Sequence, residues 1–116
     1  LKRYCDSRHE SAKADLATCF VERCLSFPCC SGSVAMVTPQ NWLTLGAYKK
    51  LRKRLLTDVE WNVVARLGAR AFEAIGGEVV NVALLILTHR SPKSHQSLVG
   101  LEASAAPDPQ AKDLQL

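Results

Sequence analysis

The sequence has no apolar run of the roughly 18 residues that a membrane-spanning helix requires. Its longest apolar stretch, residues 79–87, is interrupted by Asn81 and suits a buried strand. The N-terminal segment is polar and charged, which excludes a secretory signal peptide. We therefore expect no membrane partner. The chain also lacks an initiator Met, which is a first indication of a fragment.

A full set of paired cysteines is missing too, because the chain holds five, an odd number. Without a secretory signal, this count favours free thiols and a cytoplasmic location. Cys29 and Cys30 are adjacent, whereas structural zinc sites usually take cysteines about two to four residues apart. A metal site of Cys24, Cys29, Cys30 and His9 is the less favoured alternative. We expect Cys19 and Cys24 to be small apolar core residues on a helix, and we predict no metal.

Recognisable catalytic patterns are absent as well. The three histidines, His9, His89 and His95, lie in polar segments that favour surface roles, and no Ser-His-Asp or Cys-His arrangement stands out. No Gly-x-Gly occurs, and the paired Gly76 and Gly77 precede a strand. What is present is a formal net charge of +4, which is compatible with a nucleic-acid partner without establishing one.

Hydrophobic spacing predicts two main helices and three strands. The helices cover residues 11–25 and 46–56, and the strands cover residues 33–38, 59–67 and 78–88. The predicted apolar stripe of the first helix consists of Leu16, Cys19, Phe20 and Cys24. The predicted apolar side of the second helix consists of Ala47, Leu51 and Leu55, with Tyr48 beside them.

The short connection between the second and third strands predicts that they are antiparallel neighbours, because about ten residues hold no crossover helix. The first strand is a continuous apolar run, typical of a parallel strand buried on both faces. The chain has too few elements to cover such a sheet, so apolar surface should remain uncovered and permit self-association. Near the end of the chain, Asp108 and Pro109 are typical of a helix start.

Polar side chains follow the first strand, at the position where open α/β sheets bind ligands. The amides of Gln40 and Asn41 could bond a base edge or a phosphate, which makes both candidate DNA contacts. The alternative, which we favour, is that Asn41 caps the following turn and Trp42 anchors it in the core.

The second helix carries a run of five basic residues, Lys49, Lys50, Arg52, Lys53 and Arg54. Lys49, Lys50 and Lys53 are candidate contacts to DNA phosphates. A solvated helix face is the more common role of such a run, and it remains the favoured alternative.

Four blocks of the sequence, AKADLATCFVERCL, VAMVTPQNWL, YKKLRKRLL and WNVVARLGARAFEAIGGEVVNVALLILT, resemble in order the large bacterial adenine-specific DNA methyltransferases. The similarity is greatest to the methyltransferases of BREX-type phage-defence systems and to Eco57I-like restriction-modification enzymes. It implies methyl transfer from S-adenosylmethionine to the adenine amino group in DNA, with the base flipped out of the duplex. The implied fold is a partial Rossmann-like α/β methyltransferase fold, with about three strands, two main helices and a C-terminal β-hairpin.

The resemblance also implies what this chain does not contain. The family's glycine-rich cofactor loop, its acidic residue for the ribose and its Asn-Pro-Pro-Tyr motif have no counterpart here. We therefore assign no catalytic or cofactor-binding residue. Residues 1–90 are interpreted as the C-terminal half of the catalytic domain, whose partner is the missing N-terminal half. Residues 91–116 are interpreted as a linker or tail leading into a truncated following region. S-adenosylmethionine is expected for the parent enzyme and not for this chain alone, which should be inactive.

One further residue is singled out by the resemblance. In related enzymes an aromatic side chain between the last two strands stacks on the flipped base, and Phe72 occupies the matching loop. Packing of Phe72 on the hairpin is the favoured alternative. For the whole chain, the alternative to a methyltransferase fragment is a non-catalytic DNA-binding or protein-interaction module that uses the basic helix.

Overall fold

The computed structural model describes residues 1–72 and 80–116, and these form four helices and four strands. The helices are α1 (Lys2–Arg8), α2 (Leu16–Leu25), α3 (Lys49–Asp58) and α4 (Pro109–Asp113). The strands are β1 (Ser33–Pro39), β2 (Glu60–Gly68), β3 (Val82–Thr88) and β4 (Val99–Glu102). Two 3₁₀ turns, Gln40–Leu43 and Gly46–Tyr48, connect β1 to α3. The predicted α/β class is confirmed.

The four strands form one sheet in the order β1-β3-β2-β4. Strand β3 lies antiparallel between β1 and β2, which confirms the expected pairing of β2 with β3, and β4 adds parallel to β2. Since β1 and β2 both oppose β3, they run parallel to each other. Pro39 and Gly68, the last residues of β1 and β2, both pair with Val82. We call the edge of the sheet where these two strands end the carboxyl edge.

Strand β1 differs from the parallel strand buried on both faces that we expected. It pairs antiparallel with β3, and its side chains alternate between partly buried and exposed. Val34 and Met36 pack against the core, whereas Val37 is 52% exposed on the other face of the sheet. The prediction was wrong in direction because the neighbour of β1 is the antiparallel strand β3, and wrong in burial because, within the described residues, the face that carries Val37 is left uncovered. Apolar surface therefore remains uncovered, as expected.

Helix α2 is shorter than expected, because the side chain of Asp15 accepts a hydrogen bond from the Ala17 N–H (2.8 Å) and caps the helix there. The predicted stripe is wrong in part: Cys19 is buried and Cys24 partly buried, but Leu16 and Phe20 are exposed. The residues that α2 buries are Thr18, Cys19, Val21 and Leu25.

Thr18 explains why the pattern misled, since a polar residue sits on the buried side of α2. Its hydroxyl donates to the carbonyl of Ala12 (2.6 Å), which satisfies the buried oxygen. Beside it, burial raises the pKa of the Cys19 thiol to about 11, and the neighbouring Cys5 adds to the shift. Cys19 is therefore an unreactive core residue that joins α2 to α1.

Helix α3 begins at Lys49, after the 3₁₀ turn Gly46–Tyr48 that occupies the predicted first turn of the helix. Leu51 and Leu55 are buried as predicted, but Ala47 is exposed. Together with Trp42 and Trp61, whose ring centroids are 5.8 Å apart, these leucines belong to a core that packs α1, α2 and α3 on one face of the sheet.

The segment after β3 contains two elements, of which the sequence indicated only one. The side chain of Asp108 accepts from the N–H of Ala111 and caps α4, with Pro109 in its first turn, as predicted. Strand β4 was not predicted. Lys112 is buried, and the cost of burying its ammonium is offset because it donates to the carbonyls of Ala103 (3.2 Å) and Ala106 (2.7 Å). That residues 91–116 lead into a following region stays a prediction.

Candidate nucleic-acid interface

The carboxyl edge brings together two chain segments that hold candidate residues. Gln40 follows directly after β1, and its N–H donates to the carbonyl of Asn81 just before β3 (2.8 Å). Phe72 follows four residues after the end of β2. Because β1 and β2 end opposite the same residue of β3, the turn after β1 and the connection after β2 leave the sheet at the same edge, one on each side of β3.

The turn after β1 is anchored by Trp42 and Arg52. Trp42 is buried, and its indole N–H donates to the hydroxyl of Thr38 (3.1 Å). The Arg52 guanidinium donates to the carbonyls of Trp42 (2.7 Å) and Leu45 (2.6 Å). Arg52 therefore holds the turn in place, a role that its position in a basic run did not reveal.

The two amides of the turn differ in their surroundings. The side-chain carbonyl oxygen of Gln40 is buried and has no hydrogen-bond partner among the described residues. Asn41 is exposed, and its backbone carbonyl accepts from the N–H groups of Thr44 (3.2 Å) and Leu45 (3.0 Å). Asn41 thus stabilises the turn through its main chain, while its amide side chain faces solvent.

Phe72 is 41% exposed at the end of the first described segment. The chain reaches it through two residues with positive φ, Gly68 (66°) and Arg70 (53°), which turn the backbone sharply after β2. Residues 73–79, which hold the rest of the predicted loop and the predicted start of the third strand, lie outside the described residues. A partly exposed ring at the carboxyl edge can stack on a planar group.

The candidate lysines of α3 are all exposed, but they lie on two sides of the helix. Lys49 and Lys53 are four residues apart and share one side. Lys50 shares another side with Arg54, and both line a cleft toward α1. Since α3 follows the turn after β1, its first residues lie nearest the carboxyl edge. The structure thus separates lysines that the sequence grouped together.

The residues present do not fit a site for S-adenosylmethionine. Among residues 1–72 and 80–116, no glycine-rich turn links the end of a strand to a helix. Gly32 precedes β1, and a Cβ there would lie 2.5 Å from the Cβ of Pro28, so this glycine serves local packing. Within the same residues, no three His, Cys, Asp or Glu side chains are grouped so that they could hold a metal ion. None of the helices described has the length and apolar composition of a membrane span.

Solved structures of methyltransferases have a fold similar to that of this chain. A crystal structure from Listeria monocytogenes, described as a class I S-adenosylmethionine-dependent methyltransferase, matches with a TM-score of 0.59 and 15% identity. The match covers 82% of this chain and 29% of that one. The M protein of the type I restriction enzyme EcoKI matches with a TM-score of 0.55 and 22% identity, over 72% of this chain and 18% of that one. The fold is therefore that of class I methyltransferases.

Sequence similarity gives the particular family. Residues 1–72 match the Eco57I restriction-modification methylase family, and the chain belongs to it. The adenine-specific methyltransferase PglX of Lacticaseibacillus casei (strain Zhang) is 35% identical over 89 residues, or 75% of this chain. The adenine-specific methyltransferase BrxX of Escherichia coli O9:H4 (strain HS) is 34% identical over 87 residues, also 75% of the chain. The match spans only 7% of the length of each relative.

Proposed function

We propose that this chain is part of the catalytic domain of a site-specific DNA adenine methyltransferase. The reaction is methyl transfer from S-adenosylmethionine to the adenine amino group in DNA, in phage defence or restriction-modification. The observation that carries the proposal is the family match over residues 1–72, together with two relatives named as adenine-specific methyltransferases. A cytoplasmic location agrees with five unpaired cysteines, since such thiols persist in reducing compartments.

In this proposal the chain supplies one end of the sheet and part of the rim that faces DNA. Phe72 stacks on the target base once it has left the duplex, since every base offers a π face to an aromatic ring. Gln40 and Asn41 lie at the same edge of the sheet and contact bases or phosphates through their amides. Lys49, Lys50 and Lys53 neutralise backbone phosphates.

The remaining half of the domain supplies the cofactor site and the group that holds the adenine amino nitrogen. It also covers the second face of the sheet, where Val37 and Ile86 are 52% and 37% exposed. In its absence this apolar surface favours self-association. The 116-residue chain alone is accordingly inactive.

A methylation assay with labelled S-adenosylmethionine and duplex DNA tests whether the chain needs the remaining half of the domain for activity. The chain alone should transfer no methyl group above background. Turnover by the chain alone would contradict the proposed need for a second half.

The role of Phe72 is tested by the affinity of the chain for adenine-containing single-stranded DNA, whose bases are already accessible. Stacking is worth about 1–3 kcal/mol per base, so Phe72→Ala should weaken binding by roughly tenfold or more. Phe72→Tyr keeps the ring and serves as the matched control, with near-normal affinity. Equal affinities of the wild-type chain and both variants would show that the ring does not touch the base.

A further inference from the structure

A basic cleft lies between α1, the turn that follows α1, and α3. It encloses about 560 Å³, and its lining includes Ser7, Arg8, Ser11, Lys13, Lys50 and Arg54. None of the carboxyl-edge candidates, Gln40, Asn41 and Phe72, lines it. The basic cleft is therefore a second place on the molecule where positive charge surrounds a cavity.

The balance of charge in the basic cleft is positive. Four lining side chains are cations, and one, Glu10, is a carboxylate. Two of the cations are paired: Lys13 Nζ lies 3.6 Å from an oxygen of Asp6, and Arg54 pairs with Glu22. Across the described part of the chain, Arg8 and Lys50 have no ion-pair partner. Two cations therefore remain uncompensated apart from the opposing Glu10.

Glu22 orders one wall of the basic cleft. Its side chain is only 8% exposed, and one oxygen accepts from the Ser11 hydroxyl (3.0 Å) and from Nη2 of Arg54. The other oxygen lies 2.6 Å from Nδ1 of His9. A guanidinium has five N–H donors. Arg54 is held through Nη2, and within residues 1–72 and 80–116 its Nε and Nη1 have no partner and can donate to a ligand. An arginine fixed in this way loses little freedom when it binds.

We propose that the basic cleft binds a phosphate group through Arg8, Lys50 and Arg54. A guanidinium offers paired N–H donors that match phosphate oxygens, and an ammonium adds a point charge. The volume accommodates a phosphate with part of its attached ester. We assign this phosphate to the DNA backbone, and this assignment rests on the proposed function. A free phosphate ester offers the same chemistry, and the two sources are separable by experiment.

Calorimetric titration of the 116-residue chain at low ionic strength, with inorganic phosphate and separately with a short DNA duplex, tests the proposal. The cleft variant is Arg8→Gln/Lys50→Gln. The control variant is Lys2→Gln/Arg3→Gln, which removes one lysine and one arginine outside the cleft lining, with the same change in net charge. All four side chains are exposed, so both variants should fold normally, which circular dichroism checks.

The cleft variant should bind inorganic phosphate roughly tenfold more weakly, because it loses two charge-assisted contacts, while the control stays near the wild-type affinity. In a separate variant, Glu10→Gln should tighten phosphate binding several-fold by removing the opposing charge. Equal weakening in the cleft and control variants, or no phosphate binding by the wild type, would overturn the site.

The duplex titration identifies the source. If the cleft variant weakens duplex binding more than the control does, the bound phosphate belongs to the DNA backbone. If it weakens only inorganic phosphate, the site stands and the DNA assignment of the cleft is rejected. If the duplex binds none of the chains while phosphate still distinguishes them, the failure lies in the proposed DNA contact and not in the cleft.

Discussion

Removing the guanidinium of Arg90 tests how the start of β2 is held to the end of β3. The side chain of Glu60 is fully buried, and one of its oxygens accepts from Nε of Arg90 (2.7 Å). Its other oxygen has no partner among the described residues. The N–H of Glu60 also donates to the carbonyl of Arg90 (2.9 Å), so main chain and side chains meet at one point.

The expected cost of Arg90→Ala follows from the burial of its partner. Breaking a buried ion pair costs about 3–5 kcal/mol, because the remaining charge is left uncompensated. Since the Arg90 side chain is itself 45% exposed, solvent screens the pair, and we expect about 2–4 kcal/mol. Urea unfolding followed by circular dichroism measures the difference through the midpoint of the transition.

Repeating Arg90→Ala in a Glu60 variant separates the free energy of the ion pair from that of packing of the aliphatic part of the Arg90 side chain. In Glu60→Gln, which removes the charge of the carboxylate, Arg90→Ala should cost less than about 1 kcal/mol. The exposed pair of Arg66 and Glu102 is the control, and Arg66→Ala should cost at most about 1 kcal/mol. Equal costs of Arg90→Ala in the two Glu60 backgrounds would refute this reasoning, because the charges would then not be coupled.

Two further predictions concern the contact between β2 and the segment that follows β4. Gly68→Ala should destabilise the fold by about 1–3 kcal/mol, because φ is 66° and the new Cβ would lie 2.8 Å from the Cβ of Ser104. The control is Gly100→Ala, whose Cβ would meet nothing within 4 Å and which should be nearly neutral in the same urea titration. Hydrogen bonds from the hydroxyl and N–H of Ser104, helped by Arg66, hold the pKa of Glu102 below its ordinary value, so its stabilisation is present above pH ~4.5 and is lost as the pH falls further. The unfolding midpoints of the wild type and Glu102→Gln should therefore differ at neutral pH and converge in acid, and a constant difference would rule this out.

Local signals predicted the elements that local physics controls. The apolar runs marked the three main strands to within a few residues, except at the start of β3, because a buried strand needs little beyond apolar side chains. The cap of α4 was predictable because Asp108 and Pro109 act within one turn of the chain. The antiparallel pairing of β2 with β3 followed from the length of their connection alone.

The buried face of α2 was not predictable, because it depends on what packs against the helix. Leu16 and Phe20 have the spacing of a core stripe, yet the helix buries the side that carries Thr18. A threonine in a helix is expected to face solvent unless its hydroxyl is known to donate to a carbonyl, as Thr18 does to that of Ala12. Strand β4 escaped prediction because four residues with one glycine carry almost no periodic signal.

For the candidate site, the sequence named the residues and the resemblance suggested their roles, and these roles stay predictions. The sequence grouped Lys49, Lys50 and Lys53 as one basic run, but the helix places Lys50 in a cleft with Arg54 and Arg8. The sequence did not indicate that Arg52 stabilises the turn after β1, since an arginine in a basic run gives no indication of which carbonyls it will donate to.

The sequence by itself determined the class of fold, the identity of the main strands and the family, since these rest on the order of apolar runs and motifs along the chain. The tertiary structure alone decided which surfaces face each other. It set β1 and β2 to end opposite the same residue of β3, divided the basic residues between two sides of α3, and left the second face of the sheet partly bare. Contacts between residues distant in the chain depend on the packing of all elements at once, and no local pattern records that packing.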